Sequence, residues 1–161
     1  MRGDSTASLR DATRGRVDER DTDRVEAPAA TPARSASVTY TRLDDAIGSA
    51  RDFTAAFLRA RAGDGTAVGQ RTVENARLVV SELVTNAVRH AQGPCTVDLR
   101  LADGLLEIVV SDTHEAAPVA HAPDPGRVGK HGLEIVLALC RSLDVEMLSP
   151  GKRVRASLVV E

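Results

Sequence analysis

Glu82, Asn86 and Arg89 stand four and three residues apart inside a stretch of helical apolar period. At about 100° of rotation per residue, this spacing puts a carboxylate, an amide oxygen and a guanidinium in one narrow row along a helix. Such a row could serve as a hard-metal ligand set or as a phosphate clamp, because Mg2+ takes one or two protein oxygens and completes its shell with water and substrate phosphates. The solvated side of an amphipathic helix carries polar rows too, so other residues must decide. Asp112 ends a hydrophobic run, where an ordinary turn residue fits equally well. Gly129 and Gly132 bracket Lys130 and His131. Glycines there would let the backbone approach an anion and open a short helix whose first amides attract negative charge, although Gly-x-x-Gly alone is common in turns. His114, Glu115, His121 and Asp124 share one loop, but their spacing matches no metal motif, and His90 beside the row reads as a local packing residue.

The elements that must position these groups follow from period. Leu43, Ile47, Ala50, Phe53, Phe57 and Leu58 recur with a 3.6-residue spacing that stops before Gly63-Asp64-Gly65, predicting an amphipathic helix. A second helix is predicted over about 67–91, with the stripe Val73, Ala76, Val80, Leu83, Val84, Ala87 and Ala91 facing away from the polar row and Gly93-Pro94 stopping it. Val97, Leu99 and Leu101 then alternate with polar residues, turn at Asp103-Gly104, and return as Leu106, Ile108 and Val110, a hairpin signature. Residues 112–128 hold Pro118, Pro123, Pro125 and Gly126 without period and read as a long loop. A short helix is expected from near Gly129 with Leu133, Val136, Leu137 and Cys140. A closing hairpin joins Val145 and Met147 to Val154, Ala156, Leu158 and Val160 through the turn Ser149-Pro150-Gly151-Lys152. Helices and hairpins without βαβ alternation predict an α+β two-layer sandwich, a mixed or antiparallel sheet with helices on one face.

Composition narrows the class. The 161 residues suffice for one domain, expected over 37–161. Residues 1–36 carry seven Arg against seven Asp or Glu and almost no large apolar side chain, so a disordered tail is expected. Aromatics are 2%, which leaves the core to Leu, Val, Ile and Ala and removes the stacking platforms of common RNA binders. A net charge of −2 supplies no basic field for nucleic acid. No apolar run reaches the roughly 18 residues of a membrane span, so a cytoplasmic protein is expected. Cys95 and Cys140 lack metal or redox spacing and read as thiols filling the core.

The wording Ser81-Glu82-Leu83-Val84-Thr85-Asn86-Ala87-Val88-Arg89-His90-Ala91, then Val109-Val110-Ser111-Asp112, then Gly129-Lys130-His131-Gly132-Leu133, resembles the GHKL ATP-binding superfamily. More narrowly, it resembles the anti-sigma-factor serine/threonine kinases of bacterial partner switching, over nearly everything but the tail. The resemblance implies a Bergerat-type fold that binds ATP and Mg2+. Asn86 would hold the metal, and Glu82 would be the general base for a hydroxyl attacking the γ-phosphate. Arg89, Gly129, Lys130, His131, Gly132 and Leu133 would line the phosphate side, and Asp112 would accept a hydrogen bond from the adenine amino group. Residues 113–128 would form the lid. The implied partners are a sigma factor and an anti-sigma-factor antagonist protein, and the implied assembly is a homodimer through the first strand and helix.

This chain departs from the family pattern after Asp112, where His114 and Ala116 replace two glycines, and in the last hairpin, where Arg153 and Val154 follow Gly151-Lys152 instead of a small hydroxyl residue. The rival reading is a non-catalytic nucleotide-sensing adaptor with the same fold. A detached catalytic domain of a two-component histidine kinase is weaker, since the first 80 residues contain no His to carry the phosphoryl group.

Overall fold

The computed structural model describes residues 33–61, 68–90, 93–113 and 132–161. The tail expected over residues 1–36 lies outside the described residues as far as residue 32, and strand β1, Arg34–Tyr40, starts inside the segment assigned to it. The order continues with α1 (Ala46–Arg61), α2 (Gln70–His90), β2 (Cys95–Ala102), β3 (Leu105–Asp112), α3 (Gly132–Leu139), β4 (Ser142–Met147) and β5 (Lys152–Val159). Both long helices, the central hairpin and the closing hairpin sit where their periods predict. β1 is an addition that the alternation did not reveal. It lies at a sheet edge, with Ser35, Ser37 and Thr39 exposed and Ala36, Val38 and Tyr40 only half-buried, so its two faces contrast weakly.

The five strands form one sheet in the order β1-β2-β3-β5-β4, and every neighbouring pair is antiparallel, so the sheet is antiparallel rather than mixed. Asp103 and Gly104 both take positive φ, 50° and 73°, the left-handed pair that a two-residue hairpin needs to match strand twist. The β4–β5 connection contains the cis bond Ser149-Pro150 and Gly151 at φ 99°, and is closed by Leu148 N–H donating to the Gly151 carbonyl at 2.8 Å. Lys152, expected in this turn, is the first residue of β5.

One sheet face carries Cys95, Val97, Leu99, Leu101, Leu106, Ile108, Val110, Val154, Ala156 and Leu158, all buried. α2 lies over β2, β3 and β5 and between α1 and α3, burying Val73, Ala76, Val79, Val80, Leu83, Val84 and Ala87. The core is aliphatic, as the shortage of aromatics requires. Phe57 at its margin lies 5.5 Å beneath the Arg34 guanidinium, a cation–π contact that ties α1 to β1. The opposite sheet face is polar, crossed by the pairs Arg155–Glu107 at 3.6 Å and Arg153–Glu146 at 3.1 Å. Exposed pairs of this kind keep a face wet and add little stability.

The chain's last residue is clipped to the start of α2. The Gly69 amide donates to the Glu161 carbonyl at 2.8 Å, Thr72 Oγ1 donates to the same oxygen at 3.2 Å, and Glu161 N–H donates to Thr72 Oγ1 at 3.3 Å. Among the described residues no helix is long and apolar enough to cross a membrane.

Candidate functional site

Three elements meet at the C-terminal half of α2. Gly132, the first residue of α3, lies so close to Glu82 that a Cβ built on it would overlap Oε2 and stand 3.1 Å from Cδ. Glycine lets the start of α3 pass under that carboxylate without displacing it. The exposed amides there carry positive partial charge, so a half-buried Glu82 is electrostatically at home. Asn86, also half-buried, follows one turn later, and Arg89 is exposed near the helix end. Beyond α2, Gly93 packs on Thr113, one residue past β3, with a Cβ position only 2.7 Å from Thr113 Oγ1. The Asn86–Arg89 end of the helix and the Asp112 end of β3 are thereby drawn to one side of the molecule.

Asp112 is buried at 6% exposure, and its carboxylate is held by Lys152, whose Nζ lies 3.3 Å from Oδ1 and 3.1 Å from Oδ2. The two residues are register partners on β3 and β5. Gly151 makes that approach possible. A Cβ on it would run into the backbone carbonyl of Asp112, and its φ of 99° suits glycine in any case. Tyr40 and Cys95 are partners on β1 and β2, and Cys95 senses the pair electrostatically. Burial pushes its thiol up to about 11, the Asp112 charge adds to the rise, and Lys152 offsets part of it. Burial, with a smaller contribution from Cys95, also raises Tyr40. Burial alone puts Cys140 at about 11. Both thiols are free, as expected.

Glu82 and Gly132 are thus brought together, with the half-buried Leu133 next along α3, Asn86 one turn along α2 from Glu82 and Asp112 at the end of β3. Gly129, Lys130, His131, the lid residues from 114 onward and the His114, Glu115, His121, Asp124 set lie outside the described residues. Sequence reasoning missed Lys152. The alternation Val154, Ala156, Leu158, read back two residues, already put it on the inward side of β5, but the preceding Pro-Gly drew it into the turn.

The donor set fits a hard divalent cation that relies on its substrate. One amide oxygen and one carboxylate on a half-exposed helix face match Mg2+, which keeps water and phosphate ligands, whereas a transition metal would need a fuller protein shell. Among the described residues no group of three or more His, Cys, Asp or Glu is placed to hold a metal.

Comparison with known proteins bears on the fold and family. Residues 41–158 match the family model described as histidine kinase-like ATPase domain. No curated protein matches the chain. The solved RsbU and RsbW domains of Rv1364c from Mycobacterium tuberculosis superpose with a TM-score of 0.57 at 20% identity, covering 81% of this chain and 33% of that one. The histidine kinase domain of the Erythrobacter litoralis EL346 blue-light activated histidine kinase is 26% identical with a TM-score of 0.39, covering 55% of this chain and 46% of that one. The chain therefore spans about a third of the first structure and under half of the second. The family match takes in α2, β3 and α3, and the chain belongs to the histidine kinase-like ATPase domain family.

Proposed function

We propose that this chain is an ATP- and Mg2+-dependent serine/threonine protein kinase that also acts as an anti-sigma factor, phosphorylating an antagonist protein in a cytoplasmic partner-switching system. The observation that carries the reading is the Glu82 carboxylate seated against Gly132 at the start of α3, within a family that binds ATP. The RsbW domain in the superposed structure supports the narrower assignment. Asn86 would hold the metal through its amide oxygen, and Mg2+ when bound neutralises phosphate charge. Glu82 accepts the proton of the attacking Ser or Thr hydroxyl as its oxygen bonds to the γ-phosphorus and the bond from that phosphorus to the β–γ bridging oxygen breaks, releasing ADP, and Arg89 steadies the phosphate side. The first amides of α3 face negative charge. Asp112 orients the base by accepting from the adenine amino group. A homodimer through β1 and α1 belongs to the same proposal.

Incubating the protein with labelled ATP, Mg2+ and candidate antagonist proteins tests this. The wild type should label an antagonist on Ser or Thr, and Glu82→Ala should lose labelling while keeping ATP binding. Full labelling by that variant removes Glu82 from the mechanism. The non-catalytic adaptor draws support from the altered last hairpin, where Lys152 is committed to Asp112. It is the outcome if ATP binds and no antagonist is labelled.

A further inference from the structure

Among the described residues the largest fully buried side chain is charged: Lys152, 1% exposed, beside an equally buried Asp112 carboxylate. Packing alone gives no reason for it. A buried ion pair recovers its desolvation cost poorly, and apolar residues of similar volume often serve the fold as well or better. What the pair does achieve is chemical. With Nζ within 3.3 Å of both oxygens, the ammonium fixes the rotation of the carboxylate and sets a positive charge against it, a partner that suits the form that only accepts hydrogen bonds. A carboxyl buried without a counter-charge neutralises itself by taking up a proton, and then both donates and accepts.

We infer that Lys152 is a positioning residue that sets the base selectivity of the nucleotide site, holding Asp112 as an obligate acceptor so that purines with a 6-amino group are taken and 6-oxo purines are rejected. This rests on the ATP-binding reading above. An acceptor-only carboxylate repels the carbonyl oxygen of a 6-oxo purine, whereas a protonated one would donate to it. The pair is built to be stiff. Gly151 brings β5 against the last peptide of β3, and Cys95, held as the neutral thiol by its raised ionisation at about 11, adds no competing charge from β2. The same row also carries Tyr40, on β1 beside Cys95, and Met147, opposite Lys152 on β4, neither of which brings a charge to the pair. The ammonium thus acts on the base through Asp112.

Calorimetric titration of the full chain with ATP and with inosine triphosphate, each with Mg2+, provides the test. The wild type should prefer ATP by at least about ten-fold, since a site built around one hydrogen bond rejects the analogue that lacks it. Lys152→Met removes the donor and should bring the ratio to within about three-fold, while Lys152→Gln, which keeps a neutral donor, should fall between. Circular dichroism establishes that each variant is folded, and Lys152→Gln decides the matter if Lys152→Met does not fold. A wild-type ratio retained by the folded variants reduces Lys152 to a packing residue and overturns the inference, as does a wild type that binds both nucleotides equally. No heat with any adenine nucleotide overturns the ATP-binding reading itself, and this inference with it.

Discussion

Replacing Gly132 with Ala separates stability from chemistry at the cleft. In a helix this change normally stabilises by about 0.5–1 kcal/mol through reduced backbone freedom of the unfolded chain. At Gly132 the added methyl would overlap Glu82 Oε2, while Glu82 Cβ lies 3.7 Å from the Cβ position, at ordinary contact distance. The atom that must give way is therefore the far end of a flexible side chain, and its rotation offsets the backbone gain to within about 1 kcal/mol, a melting shift of no more than about 4 °C. The carboxylate itself has to move by about 1 Å to restore van der Waals distance, and a misplacement of that size costs on the order of 10²-fold in rate. Thermal melting and antagonist phosphorylation, measured on the same preparation, should show near-wild-type stability with transfer reduced about 100-fold. Undiminished transfer by a folded Gly132→Ala protein would refute the placement of Glu82 as the base.

Other outcomes follow from the same geometry. Asn86→Ala should weaken ATP binding in Mg2+ by about ten-fold or more while leaving the melting temperature nearly unchanged, because the residue is half-buried on the cleft side; an unaltered Mg2+-dependent titration would remove it as the metal ligand. Gly151→Ala meets both a φ of 99° and the Asp112 carbonyl, so urea unfolding should show a loss of about 2 kcal/mol or more; a wild-type midpoint would contradict the close β5–β3 approach. The Cys95 and Cys140 thiols are both raised from 9.0 to about 11 by burial, so the folded state holds their protons more tightly than the unfolded state. The stability they contribute is complete below pH about 9 and is lost as pH rises towards 11, and Cys95→Ser should flatten that fall in urea midpoints taken across the window.

The parts of this molecule with strong contrast between their faces were legible in the sequence. α2 alternates Val80, Leu83, Val84 and Ala87 against Glu82 and Asn86, and its period separates the core face from the polar face. β2 alternates cleanly, and β3 does so apart from a buried Val109, around Asp103-Gly104 because one face meets helices and the other is largely polar. β1 escaped because an edge strand of Ser, Thr and Ala has little to bury. Lys152 escaped because a buried lysine violates the expectation that charge lies outside, and only its register opposite Asp112 reveals why it is tolerated. The proximity of Glu82 to Gly132 joins residues 50 positions apart through the α2–α3 packing, which local spacing does not encode.

The hydrogen-bonded tie between Glu161 and the opening of α2 also determines where added sequence would emerge. Twelve residues of helix separate Gln70 from Glu82, about 18 Å of axial rise, so whatever is joined after Glu161 begins remote from the Glu82 carboxylate. A label attached there leaves the Glu82–Asn86 stretch of α2 uncrowded, provided the Thr72 and Gly69 contacts are left intact.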